Sequence, residues 1–235
     1  MSNTSFETSS KDESKSKKDV LASGRANNSA SRIRKMSGIS MLSAVAFVLM
    51  FLEFPLPTLI PSFIKMDFSD LPALIGTFAY GPIAGVIISL LKNLLHLPLT
   101  QTGGVGELSN FILGASFSFT AGLVYNKKHT KMGAMLGSVT GAFVMSAVSV
   151  VTNYFVVYPI YTAFMPMEVI IGMYKAILPS SDTLIKCLLI FNLPFTFFKG
   201  MCSVLITFLI YKPLSPVLKG IRNHNEELKT SKESN

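Results

Sequence analysis

Charge is scarce in this sequence. Of 235 residues only 14% are Asp, Glu, Lys or Arg, against 49% hydrophobic, where a soluble domain averages about 25% charged residues. That balance excludes an ordinary soluble globular domain. Cysteine is scarce too. Cys187 and Cys202 stand in apolar surroundings without a CxxC spacing, so neither a disulfide framework nor a thiolate metal site is supported. His96, His129 and His224 are scattered and offer no metal-ligand spacing. No Ser-His pair, HExxH or paired-acid arrangement speaks for intramembrane catalysis, and the glycines at 103, 104 and 106 lack the Gly-Lys-Ser/Thr of a P-loop. The first 31 residues lack the apolar core and small-residue cleavage site of a secretory signal.

What the sequence does have is apolar stretches, five or six of them between Gly38 and Leu214, with a mean hydropathy of +0.47 for the chain. Each membrane-crossing helix needs about 20 such residues. The fold class expected is an all-α integral membrane protein, a six-transmembrane-helix bundle over residues 36–218, with polar, disordered tails at 1–35 and 219–235. Span one is Gly38 to Phe54. A Pro-rich external loop, Pro55 to Lys65, leads to span two, about Phe68 to Phe78, which is too short to cross straight. Tyr80-Gly81-Pro82 turns into span three, Ile83 to Leu97. Pro98 to Gly106 is a second external loop before span four, Glu107 to Tyr125. After a basic turn, Asn126 to Lys131, span five runs from Met132 to Val157. A long external segment, Pro159 to Asp182, holds an amphipathic helix at Met167 to Leu178, and span six is Thr183 to Tyr211.

The net charge of +8 does not mark a nucleic-acid-binding chain. Most of the 21 Lys and Arg residues lie in the two tails and the Lys127 turn. Six crossings put all three on one face, which the positive-inside rule assigns to the cytoplasm, so both termini are expected there. Small residues recur at helical spacing, Ser40 with Ala44 and Gly133 with Gly137 and Gly141. Such stripes either pack the protein's own helices or form a docking face.

Polar groups are expensive in hydrocarbon and face a cavity, a ligand or one another. The candidates are Asp67, Asn93, Glu107, Asn110, Asn153, Asn192 and Lys199. Asp67 or Ser69 is placed to cap span two, and the two carboxylates Asp67 and Asp70 with Lys65 at a membrane boundary are equally placed for a ligand or gating role. Glu107 and Asn110 share a helix face. Asn192, Thr196 and Lys199 form one stripe on span six, where Pro194 frees a carbonyl. Lys199 is too central to snorkel easily and reads as a cavity-facing donor.

In order along the chain, Lys65-Met-Asp-Phe-Ser-Asp-Leu-Pro-Ala-Leu-Ile-Gly, Tyr80-Gly-Pro with Gly85, Lys92-Asn-Leu-Leu-His, Gly106-Glu-Leu-Ser-Asn-Phe, Asn153 with Pro159-Ile-Tyr161, and Pro194-Phe-Thr-Phe-Phe-Lys199 resemble the riboflavin-binding S component of energy-coupling factor (ECF) vitamin transporters. The resemblance spans about Met36 to Leu218. It implies a multi-pass protein of the bacterial cell membrane that captures riboflavin from outside as its transported ligand, without a cofactor and without hydrolysing anything itself. It also implies a transmembrane coupling protein carrying two ABC-type ATPases, docked through Ser40, Ser43, Ala44 and Ala46. Asn153 and Lys199 would hold the ligand, with Tyr161 nearby and the first external loop as a lid. The pattern usually has Asn at the position of Thr196, and threonine offers a hydroxyl but no amide. Tyr154, Phe155, Tyr158, Tyr161 and Phe195 are available to line an apolar slot, and no tryptophan is present to stack. The alternatives are an S component for another vitamin, an intramembrane enzyme, and a structural protein whose polar groups only pack helices.

Overall fold

The computed structural model describes residues 29–61, 64–100, 102–163 and 165–209. Contacts divide the chain into Ile39–Leu218, which carries the bundle, and a second unit, Met1–Gly38 with Lys219–Asn235. Residues 1–28 of the expected N-terminal tail, and all of the C-terminal one, lie outside the described residues.

Among the described residues five helices are long and apolar enough to cross a membrane: α1 (Ser29–Met50), α3 (Pro82–Leu99, ending in a 3-10 turn), α4 (Val105–Lys127), α5 (Lys131–Tyr161) and α7 (Leu184–Leu209). The sixth expected span is α2, Asp70–Tyr80, of only 11 residues. At about 1.5 Å per residue it covers roughly half a bilayer. It is held among its neighbours, with Ala73 and Leu74 fully buried. The helix expected in the long connection before span six is α6, Met167–Ile177. α1 begins ahead of the apolar run that marks span one, because Arg and Lys are good helix formers and hydropathy reports only the lipid-facing part.

The Pro-rich connection between α1 and α2 is more than a loop. Phe54–Pro55 (β1) pairs antiparallel with Lys65–Met66 (β2), Phe54 opposite Met66. Glu53 and Lys65 form an ion pair across this ribbon. The ribbon lies at the end of the bundle that also carries α6: Ile60, Tyr158, Ile170, Tyr174, Leu188 and Phe191 make one apolar cluster there.

Two helices widen locally into a π turn, α5 at Asn153–Val157 and α7 at Leu188–Asn192. Each turn is followed by a proline, Pro159 and Pro194. A proline inside a helix donates no N–H and crowds the carbonyl four residues back, here Phe155 and Ile190, which lie inside the two widened turns. The prolines therefore set where each helix opens, and an Asn sits in each opening.

Large apolar side chains cover the outside of the bundle, and its interior combines apolar clusters with buried polar groups. Phe143, Phe155 and Leu209 are exposed, whereas Ser89, Lys92, Ser118 and Asp70 are buried. In lipid the outside needs no burial, and close packing of small residues holds the helices together. The glycine stripe of α5 serves this purpose. A Cβ at Gly137 would lie 2.6 Å from the carbonyl oxygen of Ala121, and one at Gly141 would lie 2.7 Å from that of Phe117. Both obstacles are α4 backbone, so relief requires the helices to part. Gly137→Leu is expected to cost about 1–3 kcal/mol through overpacking, read as a lower melting temperature in detergent. An unchanged melting temperature would show that α4 and α5 are not held at this distance.

Candidate functional site

Asp67 lies just before α2, where the chain leaves the ribbon. Its Oδ1 accepts from the Ser69 backbone N–H at 2.8 Å and from the Ser69 hydroxyl. Ser69 takes the N-cap position of α2 without a side-chain cap bond. Neither residue therefore caps the helix as the sequence suggested. The closed local turn instead points the other carboxylate oxygen inward, where Lys199 Nζ of α7 donates to Asp67 Oδ2 at 2.8 Å. Lys199 is also 3.8 Å from Asp70 Oδ2. Asp70 in turn accepts from Lys92 Nζ of α3 at 2.6 Å, and Lys92 donates to Ser69 Oγ at 2.6 Å. Two carboxylates and two ammonium groups thus form a buried, charge-balanced chain across α2, α3 and α7. Burial by itself would raise the Asp67 carboxyl. The Lys199 and Lys92 charges outweigh it and hold Asp67 well below the usual carboxylate range. A lowered carboxyl stabilises the fold above the unfolded value, about 3.9 for Asp. That contribution is lost only as pH falls through the still lower folded value.

A second cluster surrounds Glu107 in the first turn of α4. His96 Nδ1 of α3 lies 2.9 Å from Glu107 Oε1, and the Thr100 hydroxyl donates to Oε2 at 2.7 Å. The Thr102 hydroxyl reaches the same oxygen at 3.3 Å and accepts from the Gly106 N–H. Tyr161 at the end of α5 is hydrogen-bonded to Thr102. Asn110, one turn further along α4, is half-buried.

The two π turns organise the rest. Asn153 donates through Nδ2 to Ser149 Oγ at 3.2 Å, and Ser149 lies 3.2 Å from Thr196 Oγ1 of α7. Ser109 of α4 reaches Asn153 Oδ1 at 3.5 Å. In the other opening Asn192 accepts from the Tyr174 hydroxyl of α6 at 2.6 Å, and Tyr174 meets Tyr158. On α3, Asn93 donates to the Ser89 carbonyl, while Asn93 Oδ1 and Ser89 Oγ are buried without a partner.

Of the residues singled out in the sequence, Asp67 and Lys199 meet directly. Asn153 and Thr196 are joined through Ser149, Asn192 is engaged by α6, and Glu107 and Tyr161 share the Thr102 corner. Lys92, His96, Thr100, Ser149 and Tyr174 were not singled out as site residues, and Asp70 entered only as the second carboxylate beside Asp67. For Lys92 and His96 a signal existed: with Ser89 and Asn93 they form one polar stripe on a membrane helix, all of it buried. Two aromatic slot candidates are corrected. Phe155 is 70% exposed and Tyr154 40%, because their positions in the π turn face outward. Tyr158 belongs to the apolar cluster under α6, with Tyr161 and Phe195 packed against it. On α1, Ser43 and Ala46 are buried in the bundle, and of the four expected docking residues Ser40 and Ala44 are the exposed ones.

Buried donors and acceptors on five helices thus gather beside a strand ribbon and under a short helix. A model of the family "ECF transporter, substrate-specific component" matches residues 34–211. The chain belongs to this family. Among curated relatives of these S components, the riboflavin transporter RibU of Staphylococcus aureus (strain TCH60) is 36% identical, covering 84% of this chain and 99% of the relative. The riboflavin transporter FmnP of Bacillus subtilis (strain 168) is 32% identical, covering 82% and 97%. A solved S component of a bacterial ECF transporter superposes with a TM-score of 0.64 at 36% identity, covering 80% of this chain and 99% of that one. The protein is accordingly a multi-pass membrane component of an ATP-driven ECF transporter and a transport subunit, not an enzyme.

Proposed function

We propose that this S component captures riboflavin from outside the cell and passes it inward with a membrane coupling protein and two ABC-type ATPases. The observation that carries the reading is that α7 places Lys199 on Asp67 at the foot of the β ribbon and, one turn away, Thr196 on Ser149, which also holds Asn153 of α5. Riboflavin presents a flat ring whose pyrimidine edge alternates carbonyl, N–H and carbonyl, and a ribityl chain of hydroxyls. An ammonium, an amide and a hydroxyl answer that edge. The carboxylate of Glu107, with Thr100, Thr102 and Tyr161 around it, suits the ribityl hydroxyls. Asn93, with its free buried carbonyl oxygen, Asn110 and Asn192 complete the set proposed to face or support the ligand. Relatives that carry the name riboflavin transporter support the same ligand.

In this reading the end with the ribbon and α6 faces outside, and the basic turn around Lys127 and both termini face the cytoplasm. The exposed Ser40 and Ala44 on α1 allow the coupling protein to approach closely, and Ser43 and Ala46 let α1 pack on its own bundle. The test is titration of the purified protein with riboflavin, followed by flavin fluorescence. Quenching that saturates near one ligand per protein is expected. Unchanged fluorescence, with saturable binding of a different vitamin, would move the protein to another substrate within the family.

A further inference from the structure

Ser149 is 1% exposed on the turn of α5 before its π opening, and its hydroxyl stands between two of the residues placed against the ligand. It lies 3.2 Å from Asn153 Nδ2 on one side and 3.2 Å from Thr196 Oγ1 on the other. A hydroxyl has one proton to give and two lone pairs to offer. The amide of Asn153 donates to Ser149 and occupies one of its lone pairs, while between Ser149 and Thr196 either hydroxyl can be the donor. In the arrangement where Ser149 donates, Thr196 has a lone pair engaged and its own proton points away from Ser149. Asn153 turns its amide nitrogen toward Ser149 and its carbonyl oxygen away from it, where the Ser109 hydroxyl reaches that oxygen at 3.5 Å and leaves it a second lone pair.

We propose that Ser149 is a positioning residue for flavin binding. It orients Thr196 as a hydrogen-bond donor and Asn153 as a neighbouring acceptor, so that together they match one carbonyl and the N–H of the pyrimidine edge. Bonds that run in one direction along a buried chain polarise one another, which makes the Thr196 hydroxyl a better donor than an isolated one. The inference rests on the riboflavin reading above. It also accounts for a hydroxyl being sufficient at position 196.

The experiment is a set of riboflavin titrations on the full-length protein in detergent, with the wild type, S149A, S149T, T196N and the double variant S149A/T196N. Melting temperatures are recorded beside them to show that each variant is folded. Loss of one neutral hydrogen bond from the chain is expected to weaken S149A by about fivefold to tenfold. S149T restores the hydroxyl and is expected to bind within about twofold of wild type. T196N brings an amide donor that needs no orienting partner, so in that background S149A is expected to cost less than about twofold. Wild-type affinity in S149A would overturn the proposal. So would an equal loss in both backgrounds, which would mark Ser149 as packing only. Failure of the wild type to bind riboflavin overturns the underlying reading, and is told apart because every variant is then equally silent.

Discussion

Lys92→Met is expected to destabilise the bundle by about 3–5 kcal/mol, the range for removing one partner of a buried ion pair. Lys92 is fully buried and holds both Asp70, at 2.6 Å, and Ser69, at 2.6 Å. Without it Asp70 is left at 1% exposure with the Lys199 ammonium at 3.8 Å as its remaining ion-pair partner. The methionine fills the volume of the lysine stem, so the loss is one of charge rather than packing. Lys92→Met combined with Asp70→Asn removes the orphaned charge and is expected to recover most of the deficit. Melting temperatures of the two variants in detergent decide the matter. A single variant as stable as wild type, or a double variant no better than the single, would show that the chain of charges is not a unit.

Lys199→Met has the other large effect, and on two quantities at once. It removes the partner of Asp67, which costs stability by the same mechanism. It also removes the charged donor proposed for a flavin carbonyl, and a hydrogen bond from a charged group is worth about 1.5–3 kcal/mol, roughly tenfold to a hundredfold in affinity. Adding Asp67→Asn separates the two. The double variant is expected to regain the melting temperature but not the riboflavin affinity. Recovery of affinity together with stability would mean that Lys199 serves only to hold Asp67 and touches no ligand.

These two lysines mark where the sequence was readable and where it was not. Lys199 stood out because it lies far from either end of a long apolar span, a position that demands a partner. The identity of that partner was out of reach, since Asp67 is 132 residues away and looked like a helix cap. Lys92 carried the same signal, an ammonium within a membrane helix, on one face with Ser89, Asn93 and His96. The opening of α5 and α7 was partly legible. Pro194 announced a freed carbonyl, whereas the π turn at Asn153–Val157 lies just ahead of Pro159, where an ordinary helix end was expected.

The sequence by itself determined that the chain crosses a membrane, roughly where each long helix runs, and which polar groups need a partner. It did so because bilayer thickness and the cost of burying polar atoms act residue by residue along the chain. Only the tertiary structure decided the partners: Asp67 with Lys199, Asp70 with Lys92, Glu107 with His96, Asn153 with Ser149 and Thr196. Most of those pairings join different helices. Which faces meet depends on how closely the glycines of α5 admit α4 and on where the prolines widen α5 and α7, and neither is a property of any one span.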